Sequence, residues 1–168
     1  MQTAKHLILY LVLSFLFVIS TNVISSSEQY NLKYYLPDHT SYKKDIATPE
    51  SVLNFQVGEW HARPEQIERY FLTLAKQSDR VTIENYAFSH EQRPLFLVYI
   101  SSPENIKNIE TIRKNHVSMN KQMERPAVTW MGYSVHGNEA SGSNASMLVG
   151  YHLAASTSND VLKQLDEQ

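Results

Sequence analysis

The sequence of 168 residues contains no cysteine, so it can form no disulfide and has no N-terminal cysteine for lipid attachment. Its stability must therefore come from side-chain packing or from a bound metal. An excess of charge of one sign is also missing: the formal net charge is -2, the pI is near 6.4, and lysine and arginine are dispersed. Because this leaves no basic stripe, we expect no nucleic-acid partner.

The sequence also lacks an apolar run as long as the ~20 residues that a bilayer span requires. Its main apolar run, Leu7–Ile19, follows Lys5 and precedes a polar, serine-rich stretch, which is the order typical of a secretory signal peptide. We therefore predict a signal peptide over residues 1–25, cleaved near Ser25, and a secreted or periplasmic protein with no stable membrane anchor after cleavage. A retained N-terminal anchor is the alternative.

The overall composition is that of one globular domain, with 42% hydrophobic and 19% charged residues. Internal repeats and low-complexity tracts are absent from the sequence. Residues 26–60 are rich in tyrosine, proline and polar side chains, which predicts an irregular leader whose aromatic rings pack onto the domain surface. The domain itself is expected over residues 61–168.

Four segments have the pattern of amphipathic helices. In "RPEQIERYFLTLAKQS", apolar residues recur at helical spacing behind Pro64, a residue type favoured in the first turn. "SSPENIKNIETIRKNH" has Ser102 as a cap and an isoleucine stripe. A third helix is expected within "SNASMLVGYHLAAS", and "SNDVLKQLDEQ" begins a fourth. The stripes of the first three consist of Ile67, Tyr70, Phe71, Leu74 and Ala75; Ile106, Ile109 and Ile112; and Ala145, Met147, Leu148 and Tyr151.

Three segments rich in β-branched and aromatic residues predict strands: Val81–Phe88, Leu95–Ile100 and "PAVTWMGY" at residues 126–133. The second is apolar on both faces, which is typical of a central strand. Strands that alternate with helices favour an α/β fold, in which helices cover the faces of a layered sheet.

A histidine and a glutamate follow the third predicted strand. In open α/β sheets, ligands bind outside the carboxyl ends of the strands, which is where this loop is expected. His136 and Glu139 are three residues apart at the start of a helix, so their side chains project to nearly the same side and can converge on one ion. Zinc accepts this pair when a third protein ligand and a water molecule complete the site. Gly137 and Asn138 suit a tight backbone path between them.

The same region allows other interpretations. The pair can instead have a capping or surface role, because a glutamate in a first turn also complements the dipole of the helix. "GYSVHG" approaches the G-x-S-x-G turn of serine hydrolases, with Ser134 as the nucleophile, but His136 stands where the second glycine is required. Asn144 in "NAS" matches the glycosylation acceptor pattern, although its place within a predicted helix favours coincidence.

Together with two earlier segments, the loop resembles a known family. "WMGYSVHGNEASGSNASMLVGYHLAAS" is similar to the first zinc-ligand segment of the metallocarboxypeptidases of peptidase family M14. "LKYYLPDHTSYKKDIATPESVLNFQVGEWHARPEQI" and "RPLFLVYISSPENI" resemble opening segments of its large secreted bacterial members. The resemblance implies a mixed-sheet, zinc-carboxypeptidase-like α/β/α domain, Zn²⁺ bound by His136 and Glu139, and a peptide or protein substrate hydrolysed at its C-terminal bond.

The resemblance also implies catalytic residues that this chain does not contain. The family's third ligand is a histidine far downstream of the pair, and its general-base glutamate comes later still. Neither has a counterpart in residues 1–168, so we expect a truncated, N-terminal part of the domain in which no general base is assigned. An incomplete sheet is expected to leave a strand edge and apolar faces uncovered.

Four other histidines are weak candidates for the third zinc ligand. His152 is expected on the helix that follows the pair, roughly 24 Å beyond His136 at about 1.5 Å per residue. His90 and His116 have no surroundings that mark them as ligands, and His61 is expected to pack or cap. The alternative function is therefore a catalytically inactive secreted remnant with at most weak zinc binding.

Overall fold

The computed structural model describes residues 31–118 and 125–168, so the predicted signal peptide over residues 1–25 lies outside the described residues. In chain order, the described elements are helices α1 (Leu32–Tyr35), α2 (Pro49–Leu53) and α3 (Pro64–Gln77), strands β1 (Val81–Phe88) and β2 (Pro94–Ile100), and helices α4 (Pro103–Lys107), α5 (Ile109–Val117), α6 (Ala140–Ala155) and α7 (Asn159–Glu167). The fold is mixed α and β. None of these helices has the length and apolar character needed to cross a bilayer.

The helices predicted over the first, third and fourth amphipathic segments are confirmed as α3, α6 and α7. Pro64 occupies the first position of α3, where its missing N–H costs no helical hydrogen bond. The preceding N–H, that of Arg63, donates to Gln66 Oε1 at 3.0 Å. Val161 and Leu165 form the buried side of α7. Local spacing and end residues therefore sufficed to predict these three elements.

The helix predicted after Ser102 is divided into two. Ser102 caps α4 as expected, since its Oγ accepts the Asn105 N–H at 3.3 Å. Asn108 then ends α4 and precedes α5, with φ -100° and ψ 11°. Its side-chain Nδ2 donates to Glu104 Oε1 at 2.6 Å. Asparagine breaks helices through local side-chain hydrogen bonds of this kind, which accounts for the interruption.

The sheet consists of β1 and β2 alone among the described residues, paired antiparallel from Val81 opposite Ile100 to Phe88 opposite Pro94. A bulge interrupts the register between Asn85 and Ala87. The prediction that Leu95–Ile100 is a central strand is wrong, because the described sheet has one neighbour for β2 and not two. The alternating elements predicted a layered sheet, whereas the described residues form only this two-stranded hairpin.

The third predicted strand, residues 126–133, is not a strand in the structure. Its Ala127 N–H donates to the Glu167 carbonyl oxygen at the end of α7, at 2.8 Å, and Val128 and Trp130 are 70% and 76% exposed. β-branched and aromatic residues favour a strand because they fit a half-buried, pleated surface. No described strand offers this segment such a surface, so its composition alone does not produce pairing.

The core lies where α3 and α6 pack against each other and against the leader. Tyr70, Leu74 and Met147 are 0% exposed, and the Tyr70 hydroxyl donates to the Ala47 carbonyl oxygen at 3.3 Å. Burial raises the pKa of Tyr70 far above its ordinary value, with the neighbouring Tyr151 adding to the effect. The leader supplies further core residues, namely Ile46, Leu53 and Val57, and includes the short helices α1 and α2. The leader therefore contributes buried side chains to the core, whereas the sequence predicted only aromatic packing on the domain surface.

A glycine permits the close approach of α3 and α6. A Cβ atom added at Gly150 would lie 2.5 Å from Phe71 Cε1 and 3.1 Å from Phe71 Cζ. Phe71 is 6% exposed, so its ring is surrounded by other atoms. Close packing of this kind leaves no volume for an extra methyl group without displacing one helix.

We expect Gly150→Ala to lower the free energy of unfolding by about 1 kcal/mol or more, because overpacking exceeds the gain in helix propensity. Urea unfolding of the purified chain measures this change. Gly137→Ala is the matched control, since a Cβ there meets no atom within 4 Å. We expect that control to lie within about 0.5 kcal/mol of the parent chain. Equal destabilisation by both substitutions would contradict the packing argument.

Candidate functional site

The loop that contains both predicted zinc ligands joins an exposed segment to the buried helix α6. We call residues 134–139 the HxxE loop. Its chain reverses within one turn, because the Glu139 N–H donates to the His136 carbonyl oxygen at 3.0 Å. Helix α6 begins at the next residue, Ala140. His136 and Glu139 thus lie in one turn that precedes α6, whereas the sequence pattern placed them within the start of the helix itself.

The side chains of both predicted ligands face solvent. His136 and Glu139 are exposed. Glu139 is the N-cap residue of α6, but its side chain makes no capping hydrogen bond. The capping interpretation of Glu139 is therefore wrong for its carboxylate, although the charge still lies beside the positive end of the helix dipole. An imidazole and a carboxylate on one exposed turn are available to a ligand from outside.

Ser134 holds the two ends of the HxxE loop together. Its hydroxyl lies 3.2 Å from the carbonyl oxygen of His136 and 3.2 Å from that of Glu139, so one donor serves both. Its backbone has φ 56°, in the left-handed region that a residue with a Cβ rarely adopts. The sequence pattern around Ser134 suggested only a nucleophile, because a hydroxyl that bonds main-chain carbonyls leaves no signature in the sequence.

Two glycines of the region, Gly137 and Gly142, differ in whether their position requires glycine. Gly137 has open space where a Cβ would be and is not among the residues with positive φ, so its tight path does not require glycine. Gly142, in the first turn of α6, does require it. A Cβ there would lie 2.7 Å from Ser134 N and 3.3 Å from Ser134 Cα. The backbone at Ser134 thus rests directly on the first turn of α6.

The described residues contain no third ligand beside the pair. Within residues 31–118 and 125–168, no group of three or more histidine, aspartate or glutamate side chains could hold a metal ion. His116 Nε2 lies 2.9 Å from the Pro126 carbonyl oxygen, where it donates a hydrogen bond. His61 and His90 are exposed, before α3 and in the turn between the strands respectively. The described residues therefore form no three-ligand group of the kind that a catalytic zinc site uses.

His152 is a structural residue in the last turn of α6. The Tyr42 hydroxyl lies 2.9 Å from its Nδ1, and the Tyr42 ring stacks on Tyr151 with centroids 5.2 Å apart. Burial lowers the pKa of His152 below its ordinary value. This imidazole connects the leader to the last turn of α6, whereas His136 and Glu139 precede the first turn, so the length of the helix separates His152 from the pair.

The serine-hydrolase interpretation lacks a partner for Ser134. Its hydroxyl donates to main-chain carbonyls, whereas a nucleophile requires a histidine nitrogen as acceptor. The one histidine in the downstream tail, His152, is hydrogen-bonded to Tyr42. The geometry of the described residues therefore does not support a Ser–His pair here.

Asn144 has a structural role, which agrees with the interpretation that its match to the glycosylation pattern is a coincidence. The residue is 7% exposed. Its Oδ1 accepts the Ala62 N–H at 3.2 Å, and its Nδ2 donates to the Trp60 carbonyl oxygen at 2.9 Å. With both ends of the amide engaged and the side chain buried, Asn144 ties α6 to the segment before α3.

A cavity of about 270 Å³ is lined by residues outside the HxxE loop. Basic and acidic side chains both line it, including Lys43, Arg80, Asp79 and Asp166. Two positive and two negative groups leave no net preference for a charged ligand. The HxxE loop therefore stays the candidate site.

Comparison with known proteins adds no relative: no protein-family model, no curated protein and no solved structure matches this chain. The candidate site consequently depends on the geometry of the loop and on the resemblance of its sequence.

We expect His152 to make the fold less stable on acidification. Burial lowers its pKa below 6.5, so the unfolded chain binds the proton more readily than the folded chain. The stabilisation is complete above pH 6.5 and is lost as the pH falls through the lower, folded-state pKa. His152→Gln is expected to flatten the loss of unfolding free energy between about pH 7.5 and about pH 5, measured with urea. The exposed His90→Gln serves as the control, and an unchanged pH dependence in His152→Gln would refute the assignment.

Proposed function

We propose that this chain carries the first zinc-ligand pair of an M14-like zinc metallocarboxypeptidase, with His136 and Glu139 as the ligands. The observation that carries the proposal is the HxxE loop itself. Both side chains are exposed on one turn, and the Glu139 carboxylate is not used as a helix cap. Both groups are therefore accessible to a metal ion from solvent.

The donor chemistry of the pair fits zinc. Imidazole nitrogen and carboxylate oxygen are common zinc ligands, and catalytic sites combine three protein ligands with one open position. The described residues supply two such ligands and no third. The proposal assigns no third ligand and no general base to the described residues. The chain's own contribution is to hold the metal from one side.

Zinc bound there would supply polarisation of a peptide carbonyl and activation of a water molecule. The residues of this chain would orient the metal relative to the substrate. The exposure of the HxxE loop agrees with access for a peptide or protein substrate. The larger α/β/α domain of the family belongs to the same proposal, and the packing of α6 against α3 and the β1–β2 hairpin is compatible with it.

Export is the second part of the proposal. The charged, apolar and serine-rich order of the first 25 residues supports a signal peptide and a secreted or periplasmic location. Zinc peptidases that act on external peptides need this location. The absence of cysteine is compatible with it, since packing and metal can replace disulfides.

A catalytically inactive remnant with weak zinc binding is the alternative function. The missing third donor among the described residues favours it, because two ligands hold zinc less firmly than three. The exposed segment at residues 126–133, with Trp130 76% exposed, also favours a domain that is not fully assembled. Both functions share the zinc-binding loop and differ in turnover.

We expect the purified, tag-free chain to bind Zn²⁺ through the pair. His136→Ala and Glu139→Gln should each weaken binding by about tenfold or more, since each removes a direct ligand, and outer-shell changes alone cost about 10–100-fold. Competition with a chromogenic chelator measures the affinity. His90→Ala is the control, because it removes an exposed histidine outside the loop. If neither ligand substitution weakens binding, the zinc assignment is wrong.

Turnover distinguishes the enzyme from the remnant. The 168-residue chain with Zn²⁺ is incubated with a synthetic peptide, and released C-terminal amino acids are measured. Release that a chelator abolishes and that Glu139→Gln removes supports a peptidase. Zinc binding without release supports the inactive alternative.

A further inference from the structure

The guanidinium of Arg80 has unused hydrogen-bond donors, although the residue is buried. Arg80 is 6% exposed. Its side-chain hydrogen bonds all come from Nη1, which donates to carbonyl oxygens at the C-terminal end of α6, the shortest of them to Ser156 at 2.7 Å. Nε and Nη2 carry the other N–H donors of the group. These have no partner among the described residues, so the helix end accounts for one nitrogen of the guanidinium.

The unused donors of Arg80 open onto the cavity of about 270 Å³ that this residue lines. Among the residues that the structure describes, every buried side-chain nitrogen or oxygen has a hydrogen-bond partner. Nε and Nη2 of Arg80 have none and are therefore accessible from solvent. Because the rest of the residue is buried, the cavity is the space through which solvent reaches them. The cavity therefore contains a buried cation with free donors.

The charged groups around this cavity are not paired with one another. Arg80 and Lys43 supply positive charge, and Asp79 and Asp166 supply negative charge. Within residues 31–118 and 125–168, the ion pairs of the structure involve other residues. Burying a cation costs free energy unless acceptors or an anion accompany it, and the end of α6 provides part of that compensation. An anionic group bound in the cavity would complete it.

The lining charges differ in their depth. Arg80 is buried and Lys43 is half-buried, whereas Asp79 and Asp166 are exposed. The inner part of the cavity is therefore positive, and its rim is negative. A simple anion would be attracted by Arg80 but repelled by the rim, and a simple cation would meet the reverse. A ligand with an anionic and a cationic group close together matches both.

The remaining lining residues restrict the size and polarity of the ligand. Pro103, Leu162 and Leu165 form one apolar side of the cavity, which we call the apolar wall. A volume of about 270 Å³ corresponds to about nine water molecules at roughly 30 Å³ each. It lies below the range of about 300–1,000 Å³ that is typical of pockets for drug-sized ligands. The cavity therefore suits a small molecule with an apolar part.

We propose that this cavity binds a free apolar α-amino acid in its zwitterionic form. The ligand's carboxylate accepts hydrogen bonds from Nε and Nη2 of Arg80, whose fork geometry matches a carboxylate, and Lys43 adds positive charge. The ligand's ammonium group faces Asp79 and Asp166, and its side chain contacts the apolar wall. The inference does not rest on the zinc function, because Arg80 contacts the C-terminal end of α6 and the HxxE loop precedes its first turn.

Isothermal titration calorimetry of the purified 168-residue chain tests the proposal with L-leucine and three matched probes. The probe 4-methylpentanoate lacks the ammonium group of leucine, 3-methylbutylamine lacks its carboxylate, and glycine lacks its apolar side chain. We expect leucine to bind with a dissociation constant of about 1 mM or tighter. Each of the other probes should bind about tenfold more weakly or less, because each loses one of the three complementary contacts.

Two substitutions at exposed or half-buried positions locate the site. Lys43→Gln and Asp166→Asn should each weaken leucine binding about two- to fivefold, since charges in contact with solvent contribute modestly. Lys44→Gln and Asp160→Asn are the matched controls, because both residues are exposed and neither lines the cavity. They should leave the affinity for leucine unchanged.

Arg80→Lys tests the buried donors directly. Lysine keeps the positive charge but lacks the planar fork, so we expect leucine affinity to fall about tenfold or more. Urea unfolding of this variant shows whether it still folds, because Arg80 also contacts α6. Where it does not fold, the Lys43→Gln and Asp166→Asn variants decide the outcome.

The possible results separate the alternatives. Leucine binding that weakens in Lys43→Gln and Asp166→Asn, and not in their controls, supports the proposal. If 4-methylpentanoate binds as tightly as leucine, the cavity is a site for simple anions and the zwitterion proposal is overturned. It is also overturned if leucine does not bind at about 10 mM, ten times the expected limit, or if the lining substitutions leave its binding unchanged.

Discussion

The contact between the Arg80 guanidinium and the C-terminal end of α6 is the constraint on which the described fold depends. Nη1 of Arg80 donates to the Ser156 carbonyl oxygen at 2.7 Å and to that of Leu153 at 3.3 Å. The last carbonyl groups of a helix have no hydrogen-bond partner within it and carry partial negative charge. A buried cation that donates to them supplies the missing hydrogen bonds and a compensating positive charge. Arg80 is 6% exposed and directly precedes β1. The contact therefore joins the sheet to α6. The leader is joined to the same helix end, because the Lys43 N–H donates to the Ala155 carbonyl oxygen at 2.8 Å.

Helix α6 connects the Arg80 contact at its C-terminal end to the candidate site at its N-terminal end. Gly150 allows it to pack closely on Phe71 of α3, and Asn144 ties its middle to the segment before α3. A helix held at its end and along its length is a rigid support, and a binding loop is best placed on such an element. The HxxE loop lies at the opposite end from Arg80, where Gly142 meets Ser134. The fold thus combines a buried helix with an exposed pair of potential ligands.

Predictions succeeded where apolar spacing and end residues were sufficient, and they failed where a distant partner or an unrecognised local side-chain contact decided the outcome. The apolar spacing of α3 and the end signal at Pro64 located that helix, because helical hydrogen bonds form between residues close in sequence. Residues 126–133 have strand composition but no strand, since pairing requires another chain segment that the described residues do not place there. Asn108 divided a predicted helix through its contact with Glu104, a local effect that spacing of isoleucines did not reveal.

The sequence by itself determined which residues can act together at the candidate site. A separation of three residues keeps His136 and Glu139 within about 10 Å of each other whatever surrounds them, because the covalent chain limits their distance. Only the tertiary structure decided that the Glu139 carboxylate is not a cap, that His152 is engaged by Tyr42, and that Ser134 closes the loop. These outcomes depend on the path of the backbone across α6 and the leader. That path is set by burial and by contacts between segments far apart in sequence, which no local pattern records.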